Sequence, residues 1–510
     1  MSEIRRLDKQ EQDPAISTGL QQFANLPGWL ASVKDQDRLF RALSQHIPEI
    51  ASGSVILKKC KIGHMLLKDG VWQNRCTLKV VVPGESKERT IELNGTLFPP
   101  EVFSPSQAIV EGSFEAEGWH AIFPELNLEL RTSEPETELE SVPLLTDPEQ
   151  SREFLERRLR SASPAYRNVI IQSCKPEIVR YKPGNRCTVL YRLEYAPDML
   201  IESHGPPIVV AKTDRHDKGQ NAYEGMKALW DASFGSSNSV RIAEPLAYDS
   251  DLRVFVQGPV WEEQTLADLF LSVLDTGTPE LMGALDEALQ KTAQGLAELH
   301  RSGVKIGNAS TWEDEMGEVL EQVMQLSEVF PSLSSGARPF LERVRQLEAV
   351  TPPDPFVPSH GTFRPVQVLL HKGEISFIDF DSFCQSEPAR DLGMFLASLM
   401  TLGLTLSSHD EDKPADQTIA NPANWETRYT QVASICEQFL SAYLQFHTIS
   451  RQRVILWQAL NLFYYVLSGW MKVKTEEISF LVKLLDRFLS ASHLGDARSS
   501  EHQESDRSNT

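Results

Sequence analysis

The sequence predicts an α+β chain in which a β-rich lobe is followed by a larger helical lobe, with a further β-rich extension in front of both. Three observations predict it. Segments rich in β-branched and apolar residues cluster in two stretches, about 54–120 and 176–257. Helical periodicity dominates from about residue 262 to 489. Between the two β-rich stretches, residues 133–146 are rich in Glu, Pro and Ser and read as a linker. A small β-rich lobe followed by a helical one is a two-layer solution to burying one face of each element.

The elements follow in order. Residues 1–20 are polar and read as loose. A helical pattern with Leu39, Leu43 and Ile47 on one face covers 37–50. The segments KCKIGHMLLK and RCTLKVVV read as strands joined by a turn at Lys68-Asp69-Gly70, and RTIELNGTLF as a second strand pair ending at Pro99-Pro100. LTDPEQSREFLERRLRSA reads as a helix capped at Thr146 or Asp147. In the second β-rich stretch, EIVRYKP, RCTVLYRLEY and PIVVAK read as three strands, NAYEGMKALW as a helix, and RVFVQGP as a strand ending in a Gly-Pro break. Helices such as EEQTLADLFLSVL and LDEALQKTAQGLAELHRSG come next, and SSEHQESDRSNT, with no apolar residue, reads as disordered. Cys60-Lys61 followed by Asn74-Arg75-Cys76-Thr77 is echoed by Cys174-Lys175 followed by Asn185-Arg186-Cys187-Thr188. A duplicated half-module and a coincidence between two similar hairpins both account for this echo.

Bulk properties narrow the function. At ~150 residues per domain, 510 residues make about three units. The net charge of -21 argues against nucleic acid or an anionic membrane as the main partner, since both need a basic footprint. The six cysteines show no C-x-x-C and no zinc spacing with His, and read as reduced, mostly buried thiols of a cytoplasmic protein. The N-terminus lacks the apolar region of a secretory signal. No apolar run reads as long enough to span a bilayer, the best, 460–470, being short and interrupted by Ser and Gly.

The densest signal is VPSHGTFRPVQVLLHKGEISFIDFDSFCQSEPARDLGMFLASL. His360-Gly361 precedes a loop. Val368-Leu369-Leu370 pairs with Ile375 to Phe380 across a turn at Lys372-Gly373. That hairpin delivers Asp379 and Asp381 at its end, where carboxylates suit a hard cation such as Mg²⁺ against a phosphate. Asp391 then opens an apolar helix, where it suits an N-cap.

This segment resembles the signature of aminoglycoside phosphotransferases, choline kinases and maltokinases, whose fold is two-lobed and protein-kinase-like. The family pattern is roughly H-G-D-x-x-x-x-N-x-L, then I-D-F-x-x-x-x-x-G-x-P-x-x-D-L. His360, Gly361, Leu369, Ile378, Asp379, Phe380, Pro388, Asp391 and Leu392 match it. The resemblance implies that Asp379 binds the Mg²⁺ bridging the phosphates of ATP, and that His360 and Asp391 brace the loop. It extends from about Lys175 to about Ala491. Two positions depart. The metal-binding Asn of the pattern is Gln367, which keeps the amide oxygen on a longer arm. The catalytic Asp is Thr362, whose hydroxyl is no general base near neutral pH, and losing such a base costs ~10²–10⁴-fold. Phosphoryl transfer nevertheless rests mainly on positioning and electrostatics. Arg364 is unusual in this loop; it suits a phosphate or an acidic acceptor, and pairing with a surface carboxylate is the plainer reading.

The resemblance places the nucleotide half upstream. Lys212, ending Val209-Val210-Ala211-Lys212, takes the position of the phosphate-binding lysine, and Glu224 that of the helix glutamate pairing with it. Tyr181 to Arg186, with the single Gly184, stands where a phosphate-covering loop is expected. Val256-Gln257-Gly258 stands at the hinge, where main chain contacts adenine. His300 reads as a helix C-terminal residue, and the aromatic run Trp457, Phe463, Tyr464, Tyr465 and Trp470 as core. The sequence therefore divides into an extension (1–150), a β-rich lobe (151–262), a helical lobe with the catalytic loop (263–491) and a tail (492–510). The function it implies is a phosphotransferase-family protein binding Mg-ATP and passing phosphate to a hydroxyl of a small molecule. The alternative is an impaired pseudokinase serving as a nucleotide-binding or scaffold module with a protein partner. The extension reads as a partner-binding module or a cover for the nucleotide cleft.

Overall fold

The computed structural model describes residues 13–492 apart from 86, 104, 133–138, 197–204, 233, 235–238, 405–424 and 476. The chain parts into two compact units that do not follow chain order: 1–135 with 313–350 and 459–510, and 136–312 with 351–458. Helices Pro331–Val350 and Ile478–Ala491, which the sequence places in the helical lobe, thus group with the N-terminal segment.

The first unit holds a six-stranded antiparallel sheet of β1 (Ile56–Lys68), β2 (Val71–Val81), β3 (Arg89–Leu97), β4 (Ile109–Glu111), β5 (His120–Phe123) and β6 (Leu128–Thr132), in the order β1-β2-β3-β6-β5-β4. Asp69 and Gly70 make the β1–β2 turn, both at positive φ. Residues 14–21 are a helix rather than loose chain, because Ile16 and Leu20 are buried and Asp13 caps it. Its Gly19 lies so close to Gly336 that a Cβ would sit 2.3 Å from the Gly336 carbonyl oxygen. Ser17 Oγ donates to Asp486 at 2.7 Å. Trp470 Nε1 donates to the Phe23 carbonyl at 2.9 Å, so the indole is both buried and satisfied. The loose reading of residues 1–12 and the disordered reading of the tail fall outside the described residues.

The second unit is α+β, with a β-rich lobe preceding a helical one, as the sequence predicts. Its sheet comprises β7 (Ile171–Lys182), β8 (Arg186–Tyr195), β9 (Ile208–Asp214), β10 (Pro245–Asp249) and β11 (Val254–Gln257), ordered β10-β11-β9-β8-β7. Strand alternation divides its faces. Cys187, Val189, Tyr191, Val209, Ala211, Val254 and Val256 pack against Phe154, Leu155 and Leu159 of the helix Pro148–Ala162. Asp147 caps that helix, accepting from the N–H groups of Glu149 and Gln150. Part of the expected linker belongs to this core: Val142–Thr146 is a helical turn, and the Tyr191 hydroxyl donates to the Leu145 carbonyl at 2.8 Å. Residues 133–138 of the linker are outside the described residues.

Short strands carry the loops of the helical lobe: β12 (Gln264–Thr265), β13 (Val357–Ser359), β14 (Val368–His371), β15 (Glu374–Phe377) and β16 (Cys384–Ser386). The β14–β15 hairpin pairs Val368 with Phe377 and turns at Lys372-Gly373, both at positive φ. Helices Leu266–Thr276, Pro279–His300, Pro388–Leu404 and Trp425–Leu444 build the body.

The echo between Cys76 and Cys187 has a structural counterpart. Both sheets order their strands first, second, third, last, last-but-one, with β4 added at the edge of the first. Setting Cys76 on Cys187 carries the register to the third strand, where Thr77 pairs with Glu92 and Thr188 with Lys212. The first cysteines do not superpose: Cys60 sits opposite Leu78, but Cys174 opposite Leu193, four positions further along when the sheets are set on Cys76 and Cys187. The first sheet therefore repeats the strand order but puts Glu92, held at 3.2 Å by Arg75, where the second has Lys212.

Arg451–Met471 is a single helix of 21 residues, so the apolar stretch is longer than the sequence reading allowed. By length and composition it passes for a membrane span, yet 78% of its apolar window is buried inside the protein. Trp457, Phe463 and Trp470 are buried, as core residues should be. The helix begins with a buried ion pair. Arg453 and Glu387 are almost wholly buried and joined by two hydrogen bonds, Nε to Oε2 at 2.7 Å and Nη2 to Oε1. Arg453 Nη1 also donates to the Thr351 carbonyl, and the guanidinium lies over the Trp312 ring. Removing one partner of such a pair leaves a buried charge uncompensated. Glu387→Ala is expected to cost about 3–5 kcal/mol, read as a lowered urea midpoint with unchanged slope. A midpoint within error of the parent would show that the pair does not hold this corner together.

Candidate active site

The catalytic loop is fixed from inside. Asp391, in the first turn of helix Pro388–Leu404, is fully buried and does not cap its own helix as the sequence suggested. Its carboxylate accepts the N–H of His360 at 2.7 Å, the N–H of Gly361 at 2.8 Å and Nε2–H of His300 at 3.2 Å. Because the carboxylate only accepts, His300 Nε2 carries a proton, while Nδ1 shares a hydrogen bond of 2.6 Å with the Tyr443 hydroxyl. Burial alone would raise the Asp391 carboxyl, but the bond and charge of His300 with the His360 contacts hold it below the usual range. His300 is thus more than the helix terminus its sequence context suggests. A buried pair of this kind shows no local motif, since 91 residues separate the partners.

His360 is buried, and its Nε2 bonds the Ile378 carbonyl at 2.9 Å, which puts the proton on Nε2. Burial lowers its pKa, so the ring is neutral, wedged against Phe380 and Phe363. It braces the loop and is too enclosed to meet a substrate. Gly361 has φ 86°, and a Cβ there would fall 2.0 Å from the Ser382 carbonyl oxygen, so only glycine fits. Thr362 follows, half-buried, with no hydrogen-bond partner among the described residues.

The β14–β15 hairpin ends one residue short of Ile378, and Asp379 adopts φ 72°, a left-handed conformation uncommon for a non-glycine residue. Gln367 Nε2 donates to Asp379 Oδ2 at 3.0 Å, while its Oε1 accepts the Arg364 N–H at 2.9 Å. A backbone N–H can only donate, so the amide orientation is forced: oxygen toward Arg364, nitrogen toward Asp379. This corrects the expectation that the Gln367 oxygen faces a metal. Burial alone would raise Asp379, but the Gln367 bond and the charges of Lys212 and Arg364 leave it lowered. Burial and the Asp379 charge push Asp381 up. Arg364 is exposed and pairs with no carboxylate among the described residues, so its plainer reading is not met.

Lys212, Phe255 and Gln257 lie on the face of the sheet opposite its core, with Lys212 paired to Phe255. With Ala222, Met226, Ala243, Phe377, Asp379 and Asp381 they line a cleft of about 240 Å³. Lys212 is thus brought to Asp379 and Asp381, as the resemblance implies. Glu224 is not. Helix Lys218–Asp231 turns Ala222, Gly225, Met226 and Leu229 inward, which carries Glu224 to the solvent face, where it accepts from Gln220 at 2.9 Å. The inner contacts come from Asn221, whose amide donates to the carbonyls of Asp381 and Phe383, and from Gly225, where a Cβ would meet the Phe383 ring at 2.4 Å. Gly184 supplies the positive φ of the β7–β8 turn but does not line the cleft. Arg186, which the sequence reading gave no role beyond ending that loop, donates to Asp381 Oδ2 at 3.3 Å.

Residues 229–417 match the profile of the phosphotransferase enzyme family. The matched segment is less than half of the chain. It carries the whole catalytic loop, Asp379, Asp381 and Asp391, while Lys212 and Arg186 lie upstream of it. No curated protein matches the chain. Among solved structures, a choline/ethanolamine kinase family protein from Mesorhizobium loti is 13% identical, covering 68% of this chain and 98% of its own, with a TM-score of 0.42. Glucosamine kinase in complex with glucosamine, ADP and inorganic phosphate is 15% identical, covering 88% and 98%, with a TM-score of 0.41. Spectinomycin phosphotransferase in complex with ADP and spectinomycin is 10% identical, covering 68% and 99%, with a TM-score of 0.38.

The phosphotransferase segment carries its own acid sensitivity. A histidine buried neutral loses stability as pH falls below the unfolded value near ~6.5, because the unfolded chain takes up the proton first. A carboxylate with a depressed folded pKa keeps its stability above the unfolded value near ~3.9 and loses it as pH falls through the folded one. Unfolding free energy should therefore decline first below pH ~6.5 through His360 and steepen below pH ~4 through Asp391. His360→Gln should flatten the first limb and Asp391→Asn the second, in urea titrations across pH. Parallel curves for the parent and both variants would show that neither group titrates as its burial demands.

Proposed function

We propose that the cleft binds Mg-ATP and that the chain transfers the γ-phosphate to a hydroxyl of a small molecule. The observation that carries this reading is the convergence of Lys212 from the sheet with Asp379 and Asp381 from the hairpin on one cleft. An ammonium facing two carboxylates at the end of a buried hairpin is what a polyphosphate and a divalent cation together require. Among the described residues Asp379 Oδ1 and Asp381 Oδ1 accept no hydrogen bond, so the carboxylate pair fits Mg²⁺, which takes one or two carboxylates beside phosphates and water. Gln367 does not fit as a ligand, and among the described residues no group of three His, Cys, Asp or Glu gathers for one. When bound, the ion would offset charge on the phosphates.

The remaining chemistry is that of the chain's own residues. Lys212 meets phosphate charge, Asp391 and His360 hold the loop rigid, and Thr362 offers the acceptor a neutral hydroxyl as positioning partner. A second reading is favoured by two particulars: Thr362 stands at the base position, and the Gln367 oxygen is committed to Arg364. Under it the chain binds nucleotide without efficient transfer, as a regulatory or scaffold module. The acceptor, a protein partner and a cytoplasmic setting belong with these proposals.

Calorimetric titration of ATP with and without Mg²⁺ tests the site. Lys212→Ala and Asp379→Ala are each expected to weaken binding by about ten-fold or more, the loss of a hydrogen bond to a charged group. Glu224→Ala should change it less than about two-fold, as for an exposed side chain. Loss of binding on Glu224→Ala alone would overturn the placement of the helix, and no binding by the intact chain would sink the nucleotide reading. Thr362→Asp then separates the two functions. Transfer to a panel of hydroxyl compounds that appears only in the variant marks the parent as a binding module. Transfer by the parent marks it as an enzyme.

A further inference from the structure

We infer that Asn221 is a positioning residue for the cleft: by clamping two carbonyls of the turn that carries Asp379 and Asp381, it makes helix Lys218–Asp231 set where the Asp381 carboxylate stands. The inference rests on the nucleotide reading above.

The turn is one that its surroundings must hold. Asp379 stands at φ 72°, a conformation that a non-glycine residue keeps only where neighbouring structure over-determines it. Upstream the chain is fixed from the helical lobe. The Ile378 N–H donates to the Gln367 carbonyl at 3.1 Å, and the Ile378 carbonyl is bonded to His360. Downstream the turn closes on itself, the Phe383 N–H donating to the Phe380 carbonyl at 3.0 Å. The carbonyls of Asp381 and Phe383 are both taken by one side chain. Asn221 Nδ2 donates to the first at 3.1 Å and to the second at 3.0 Å. An amide nitrogen carries two hydrogens, so each carbonyl receives one and the orientation of the amide is forced.

The helix is itself registered on the strand that carries Lys212. Asp214, two residues beyond Lys212, accepts the N–H of His216 at 2.9 Å and that of Lys218, the first helical residue, at 3.2 Å. Gly225, one turn after Asn221, brings the helix so near the Phe383 ring that no Cβ fits between them. Short contacts therefore lead from the lysine of the cleft through the helix to its carboxylates, and Glu224, on the solvent face, takes no part. Asp381 is held at both ends, its carbonyl by Asn221 and its carboxylate by Arg186. Asn221 is neutral and spends both its hydrogens on main chain, so what it supplies to the cleft is direction and not charge.

A residue that acts only through Asp381 has no effect once the Asp381 carboxylate is gone, and a double-mutant cycle reads this. Calorimetry of ATP with excess Mg²⁺ on the full-length chain is expected to show Asn221→Ala about five- to ten-fold weaker than the parent, the loss of two neutral hydrogen bonds. Asp381→Asn should be about ten-fold weaker. The double variant should lie within about two-fold of Asp381→Asn alone. Asn221→Asp keeps the volume but loses the donors, so it should bind at least as weakly as Asn221→Ala. A urea slope equal to the parent's certifies the fold of each variant. The same factor for Asn221→Ala in both backgrounds would overturn the inference, since a merely structural role adds in full. Parent-like binding by Asn221→Ala or Asn221→Asp would overturn it too. Each of these outcomes leaves the nucleotide site intact. Failure of the parent to bind ATP would overturn the nucleotide reading itself, and the inference with it.

Discussion

The carboxylate of Asp391 holds the site together. A fully buried carboxylate is costly unless its acceptors are filled, and here three donors fill them. Two are successive backbone N–H groups, so the anion fixes the path of the loop and not merely one side chain. The third, from His300, ties the loop to the end of a 22-residue helix and through Tyr443 to a second helix. His360 relays the constraint by bonding the Ile378 carbonyl, one residue before Asp379. A line of hydrogen bonds thus runs from the core of the helical lobe to the carboxylate at the cleft. The loop position most divergent from the family pattern, Thr362, is the one this bracing leaves free.

In the cleft, each acidic oxygen that is engaged meets a nitrogen. Gln367 donates to Asp379 and Arg186 to Asp381, with Lys212 near both. The two carboxylates consequently separate in character. Asp379 is held ionised by an amide and two cations, whereas Asp381, more dependent on burial and a like charge, is held less so. The longer arm of Gln367 matters here. An amide that reaches back to the Arg364 N–H has its nitrogen, not its oxygen, left for Asp379. The substitution that looked mild as chemistry therefore reverses the polarity of the group facing the site.

What was legible in the sequence was what is local. The Lys372-Gly373 turn, the paired strands beside it and the delivery of Asp379 and Asp381 all follow from a few adjacent residues. Lys212 was legible through the resemblance, which needs only a strand that ends in lysine and stands before a helix. Glu224 was misread because a helix has no such two-fold simplicity: its phase is set by Ala222, Gly225 and Met226 packing inward, and a one-residue error in phase is a turn of about 100°. The run of small residues around Gly225 was the available signal. Arg186 and His300 are tied to Asp381 and Asp391 across 195 and 91 residues, so no spacing in the chain announces them. The division into units was hidden for the same reason, since a helix near residue 14 finds its partners near 336 and 486.

The two sheets show how far architecture and chemistry separate. Their strand order is the same, and register set from Cys76 and Cys187 places Glu92 where the other has Lys212. A sheet needs only its alternation of buried and exposed positions, and an exposed-face residue is free to reverse its charge so long as a neighbour answers it, as Arg75 answers Glu92. Drift at such a position costs the fold nothing. Lys212 stands on the same unconstrained face, beside two half-buried carboxylates that are answered by separate donors. A lysine and a pair of aspartates kept together in that arrangement are not what packing demands of a sheet and a hairpin. They are the arrangement on which the proposed reading of a polyanion and a cation rests.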